Sequence, residues 1–255
     1  MKKLIFSILL LASTLLQASD IYVKPGESIA DAIRQARELR RLNDPSIEGG
    51  ITIHVAAGNY RIYEPLFLRP EDSGTPSSPT IIKGEGEVIV SGGVTVTGWK
   101  RQGKLMVADV PDFCGRPLDF RQFYVNGKKA VRARDVADFE DMYRIIRVDK
   151  QKRVLWVPAA AVRKIQKAPY AEMVLHEMWC VANLRIKDIM FAGDSAAVSF
   201  HDPESRIQFE HPWPCPMVTT DGHNSAFYLT NARELLDVPG EWYHDIRCLL
   251  YTSPS

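Results

Sequence analysis

Gly50-Ile51-Thr52-Ile53-His54-Val55-Ala56-Ala57-Gly58-Asn59-Tyr60 alternates apolar and polar side chains from Ile51 to Val55 and then breaks at a glycine. That is the period of a strand with one buried face. Short apolar runs recur downstream at Leu66 to Leu68, Thr80 to Ile82, Val88 to Val90 and Val94 to Val96. Between them stand Gly58-Asn59, Asp72-Ser73-Gly74, Gly84-Glu85-Gly86 and Gly92-Gly93. Runs this short, each closed by turn residues, predict a coil that turns after every strand, and so a parallel β-helix.

Upstream, Ile21-Tyr22-Val23 reads as a strand and Ser28 to Arg41 as a helix. Ser28 is placed to cap it, Ile29, Ala32, Ile33, Ala36 and Leu39 share a face, and Arg37, Arg40 and Arg41 suit the C-terminal end. Asn43-Asp44-Pro45 stops it. A solenoid leaves an apolar end open to pairing, so this helix is expected to cover it as an N-terminal cap.

Beyond Trp99-Lys100 the strands become longer and more charged. Asn126-Gly127, between Phe120 to Val125 and Lys128 to Arg134, is the preferred dipeptide of a type I′ hairpin turn. Tyr143 to Val148 and Arg153 to Val157 predict a second hairpin. Ala171 to Met178, Leu184 to Ile189, Ala196 to Phe200 and Ala226 to Leu229 predict further strands. The expected organisation is a cap with first rungs over residues 20–102 and an inserted antiparallel β module over 103–247.

The ends read differently. Lys2 and Lys3 precede an apolar run from Leu4 to Leu16, and Gln17-Ala18 offers a cleavage site, which predicts a signal peptide over 1–18 and a secreted or periplasmic protein. The run is shorter than the roughly 20 residues a membrane span needs. Cys248-Leu249-Leu250-Tyr251-Thr252-Ser253-Pro254-Ser255 matches, at every position, the translation of a transposon-type sequencing adapter. The expectation is that residues 248–255 are read-through and that the chain is an N-terminal fragment. Without Cys248, three cysteines remain, Cys114, Cys180 and Cys215, an odd number that builds no complete disulfide framework. Of 255 residues, 45% are hydrophobic and 25% charged, which excludes disorder and coiled coil. Lys+Arg is 32 against Asp+Glu 31, so neither nucleic acid nor an anionic membrane is an expected partner.

Several segments, Ile53 to Tyr60, Leu68 to Thr75 and Ser91-Gly92-Gly93 among them, resemble the start of the right-handed parallel β-helix proteins of the pectin-lyase-like group. Phe120 to Lys128, Val131-Arg132-Ala133-Arg134 and Glu234 to Tyr243 are similar to the inserted β module of glycoside hydrolases near family 141. The resemblance implies a right-handed β-helix interrupted by the module, with acidic catalytic residues on later rungs. It therefore assigns no catalytic residue here.

Glycoside hydrolysis needs two carboxyl groups flanking the scissile bond. Asp72, Glu85 and Glu87 fall in expected turns, where solvated carboxylates are common. His176-Glu177 has no second His in register, so a zinc-protease motif fails, and in a strand the two residues point to opposite faces. The densest polar and aromatic stretch runs from His201 through His211-Pro212-Trp213-Pro214 to Asp221-Gly222-His223. Indole faces and acids suit a sugar-binding rim, so His211, Trp213, Asp221 and His223 are the candidate substrate-binding residues. Trp242 and Tyr243 are expected to anchor a strand. No phosphate loop, nucleophile elbow or metal-ligand spacing is present, and neither cofactor nor metal is expected. The expected function is an exported glycoside hydrolase acting on a complex, plant-type polysaccharide. The alternatives are a non-catalytic glycan-binding or structural protein and a polysaccharide lyase or epimerase.

Overall fold

The computed structural model describes residues 18–113, 115–245 and 249–252, in two compact units divided between Val94 and Thr95. The expected signal peptide, apart from Ala18, lies outside the described residues, as do Cys114 and Cys248.

The first unit contains β1 (Ser19–Val23), α1 (Ile29–Arg41), β2 (Ile51–Arg61) and β3 (Thr80–Ser91). The strands form one parallel sheet in the order β1-β2-β3. Ile21, Val23, Ile51, Ile53 and Val55 alternate inward and are buried against Ile29, Ala32, Ile33 and Ala36 of α1. Ser28 caps the helix as its sequence requires, its Oγ accepting from the Asp31 N–H at 3.1 Å. Arg37 reaches across to Asp72, whose buried carboxylate it holds at 2.7 Å. The connection from α1 into β2 turns at Gly50, with φ of +109°; a Cβ there would stand 2.7 Å from the Pro79 carbonyl oxygen.

The second unit contains β4 (Lys100–Gln102), β5 (Leu105–Asp109), β6 (Asp112–Phe113), β7 (Arg116–Pro117), β8 (Tyr124–Val125), β9 (Lys128–Lys129), β10 (Val131–Arg132), β11 (Tyr143–Arg144), β12 (Arg147–Asp149), β13 (Val154–Pro158), α2 (Ala159–Val162), β14 (Glu172–Glu177), β15 (Cys180–Ala192), β16 (Ser195–Phe200), α3 (Glu204–Glu210), β17 (Ala226–Thr230), β18 (Glu241–Asp245) and β19 (Leu249–Thr252). Its largest sheet runs β11-β17-β14-β15-β16-β13-β12, antiparallel throughout. Met173, Leu175, Leu184, Phe227, Leu229, Val198 and Leu155 cover one face and form the main core, closed by Ile165, Phe209 and Leu235. A second sheet runs β10-β18-β19-β5-β4, and there Trp242 is fully buried beside Phe120 and Phe123. The Asn126-Gly127 hairpin forms as expected, with φ of +50° and +75° and Val125 facing Lys128.

The expectation of a right-handed parallel β-helix is overturned. The fold is mainly β, but most of its sheets are antiparallel, and its helices are short. Parallel pairing among the described residues is confined to β1-β2-β3 and the short β10-β18 contact. The cause is visible in β2 and β3. β2 continues through Gly58, where its register with β3 shifts, and β3 continues through Gly84-Glu85-Gly86. A glycine inside a strand marks a bulge as readily as a turn. What reads as several short rungs is two long, irregular strands, and neither Leu66 to Leu68 nor Val94 to Val96 is a strand. Among the described residues α1 is the core partner of the parallel sheet.

Candidate functional site

In β14, Met173 and Leu175 enter the core, so Glu172, Val174 and His176 stand on the opposite face of the sheet. Their cross-strand partners share that face: Thr230, Tyr228 and Ala226 on β17, and Arg185, Asn183 and Val181 on β15. The core therefore fixes one side of these strands and leaves a polar, aromatic surface on the other. Two cavities open on it.

The first, about 300 Å³, is lined by Arg121, Lys129, Ala130, Val131, Arg132, Arg134, Val174, Asn183, Tyr228 and Thr230. Glu172 anchors its edge. The carboxylate accepts from Arg132 Nη1 at 2.9 Å and Nη2 at 3.2 Å, and from Arg121 Nη1 at 2.5 Å. The Arg132 guanidinium also lies 5.5 Å from the Trp242 ring centroid. Burial pushes the Tyr228 hydroxyl above the ordinary tyrosine range.

The second cavity, about 370 Å³, is lined by Phe139, Arg144, His176, Glu177, Met178, Met217, His223, Asn224, Ser225 and Ala226. The Arg144 guanidinium stacks 4.7 Å over Phe139, and Phe139 meets His176 edge-on at 5.5 Å. His176 is 6.1 Å from Tyr228, which links the two cavities. Burial, with Arg144 adding repulsion, holds the His176 imidazole below its usual range. Burial raises the Glu177 carboxyl above the usual range, although Cys180 Sγ donates to it at 3.0 Å and Gln208 also donates. An imidazole ring and a carboxyl group can both exchange hydrogen bonds with hydroxyl groups.

Of the residues expected to bind substrate, only His223 lines either cavity. His211 follows the C-terminus of α3, and its Nδ1 accepts from the Trp213 N–H at 3.3 Å. Trp213 is 52% exposed. Asp221 sits in a turn and accepts from the His223 N–H at 3.3 Å. Among the described residues no hydrogen bond joins the His211–Trp213 pair to the Asp221–His223 pair. Asp72 is occupied by Arg37 and Glu85 by His54 and Lys83, while Glu87 is exposed. Trp242 and Tyr243 are buried in β18. Sequence reasoning passed over Arg121, Lys129, Arg132, Arg134, Glu172, Asn183 and Tyr228. One signal was available: Arg132 and Arg134 flank Ala133 at the period that puts both on one side of a strand.

Residues 103–254 match the family model of the GH141 insertion domain. The chain belongs to the GH141 family. A solved structure titled glycoside hydrolase is 60% identical, with a TM-score of 0.82 over 93% of the GH141 chain described here. The match covers 43% of that hydrolase, so this chain spans less than half its length. No curated protein matches. Both cavities lie within the matched insertion domain.

No described helix is long and apolar enough to cross a membrane. No group of three or more His, Cys, Asp or Glu side chains able to hold a metal occurs among the described residues. Cys180 and Cys215 are free thiols.

Proposed function

We propose that this chain serves in an exported glycoside hydrolase of complex, plant-type polysaccharides, and that its insertion domain supplies a glycan-contacting face. The observation that carries the reading is the 60% identity to a glycoside hydrolase across 93% of the chain. The polar sheet face gives it physical content. Tyr228 and His176 offer ring faces to the apolar side of a pyranose, while Asn183 and Arg144 offer hydroxyl partners. Export rests on the Lys2-Lys3 and Leu4 to Leu16 pattern.

The face itself is a binding surface rather than a hydrolytic centre. Glu172 and Glu177 are five residues apart on β14, at its two ends and roughly 16 Å apart along the strand. A glycosidase pair stands about 5 to 9.5 Å apart. The expected result is that the chain binds plant oligosaccharides, as measured by titration calorimetry, and releases no reducing sugar from them. Tyr228→Ala and His176→Ala should each weaken binding several-fold without unfolding the sheet. Hydrolysis by this chain, abolished by Glu177→Gln, would overturn the assignment of the face to binding. Absence of binding across the oligosaccharide panel would overturn the glycan reading itself.

A further inference from the structure

The first cavity has a charge imbalance that the glycan reading does not require. Four cations, Arg121, Lys129, Arg132 and Arg134, line it, and the one carboxylate ion-paired with any of them among the described residues is Glu172. Glu172 holds Arg132 and Arg121, and Lys129 and Arg134 have no ion pair among the described residues. The Arg132 Nε is buried and has no hydrogen-bond partner. Alternation about the buried Ala133 puts Arg132 and Arg134 on one side of the chain, but it does not require both to be cationic. Lys129 comes from β9 and Arg134 from the segment after β10.

Resting on the proposed glycan-binding role, we infer that this cavity is a subsite for an acidic sugar, with the Arg134 guanidinium and Lys129 ammonium receiving the carboxylate of a uronic acid residue. A guanidinium fork matches the two oxygens of a carboxylate, and an ammonium adds a point charge beside it. Tyr228 presents a ring on the same cavity wall, placed for the apolar face of the pyranose. Asn183 and the Thr230 hydroxyl, which donates to the Ala133 carbonyl at 2.8 Å and keeps its acceptor capacity, serve the ring hydroxyls. The volume of about 300 Å³ holds one to two sugar rings rather than a long chain segment. Glu172 then has a second effect beyond neutralisation. By fixing Arg132 and Arg121 it keeps them from folding over the space the ligand takes.

The test is calorimetric titration of the whole chain with trigalacturonate, with its methyl ester, which removes the charge and keeps the sugar and linkage, and with inorganic sulfate. Trigalacturonate should bind at least tenfold more tightly than the ester, and the difference should shrink as salt rises. Arg134→Gln and, separately, Lys129→Gln on the exposed hairpin should weaken the acid more than the ester and so narrow the gap between them. Circular dichroism checks that each variant keeps its fold. Equal binding of acid and ester, or a preference for acid that survives both substitutions, overturns the uronate subsite while leaving the glycan-binding face intact. Sulfate displacing trigalacturonate at equal concentration overturns it as well, because the cavity would then read charge without sugar. If neither trigalacturonate, its ester nor any neutral oligosaccharide binds, the glycan-binding reading falls and takes the subsite with it.

Discussion

Replacing Glu172 with Ala isolates the interaction that holds the cationic side of the sheet together. The Glu172 side chain is 8% exposed and that of Arg132 12%, whereas that of Arg121 is 46% exposed. Losing the Arg121 arm alone costs about 0.5 kcal/mol, the scale of a solvated ion pair. Losing the Arg132 arm leaves a guanidinium buried with no counter-charge, which costs about 3 to 5 kcal/mol. The expected loss is therefore close to 3 kcal/mol at its low end, a fall of roughly 1.5 M in urea midpoint for a slope of about 2 kcal/mol/M. All five tryptophans, Trp99, Trp156, Trp179, Trp213 and Trp242, lie in the second unit, so their fluorescence during urea unfolding reports that unit alone. Adding Arg132→Met removes the stranded charge and fills similar volume. The double variant should then recover most of the loss, because well-packed apolar replacements of buried pairs are often neutral. A single variant within about 1 kcal/mol of the wild type, or a double variant no better than the single, would refute the claim that a buried charge is at stake.

Three further outcomes follow from other parts of the molecule. Ala36→Pro, inside α1 at a position 3% exposed, should destabilise the first unit by about 3 kcal/mol or more; an unchanged far-ultraviolet melt would contradict the packing of α1 on the parallel sheet. His54 lies between Glu85 at 2.8 Å and Asp20 at 3.0 Å, stacked on Tyr22, and these carboxylates raise its imidazole above the ordinary range. Its stabilising contribution is thus fully present below the ordinary histidine value of about 6.5 and is lost as pH rises through the raised value, so the melting advantage of wild type over His54→Gln should shrink on going to alkaline pH. Burial pushes the Cys180 thiol up to about 11, helped by the neighbouring Glu177, and its alkylation by iodoacetamide at pH 8 should be about two orders of magnitude slower in the folded chain than in urea, followed by peptide mapping.

The local elements were legible where a short-range mechanism writes them. Ser28 had to cap a helix because its hydroxyl meets an otherwise unpaired N–H, and Asn126-Gly127 had to turn because both residues tolerate positive φ. The parallel β-helix was misread because glycine carries two meanings that composition does not separate. Gly84 and Gly86 sit within β3, and the only local trace is Val88, against which a Cβ on Gly84 would press at 3.2 Å. A turn there would have needed a reversal of the chain, whereas the parallel register with β2 merely slips between Ala56 and Gly58.

The two candidate cavities were hidden for a different reason. Proline, histidine and tryptophan crowd together between His201 and His223, and crowding in sequence looks like a constellation. In space these residues lie along separate stretches of loop, and of the four candidates His223 alone lines either of the two cavities. The residues that do converge are spread from Arg121 to Thr230: Val174, Asn183, Tyr228 and Thr230 meet because β14 pairs with β15 on one side and β17 on the other, and Arg134 joins them through its bridge to Thr230. What the strand itself announces is contrast: Met173 and Leu175 are fully buried, and Glu172 and His176, which alternate with them, are ionisable. A solvated outer face would tolerate lysine or threonine at those positions at no cost. Burying Glu172 with Arg132 instead incurs desolvation that an apolar pair of similar volume would avoid, yet once both are buried each charge needs the other, which is why removing the carboxylate alone is the costly change.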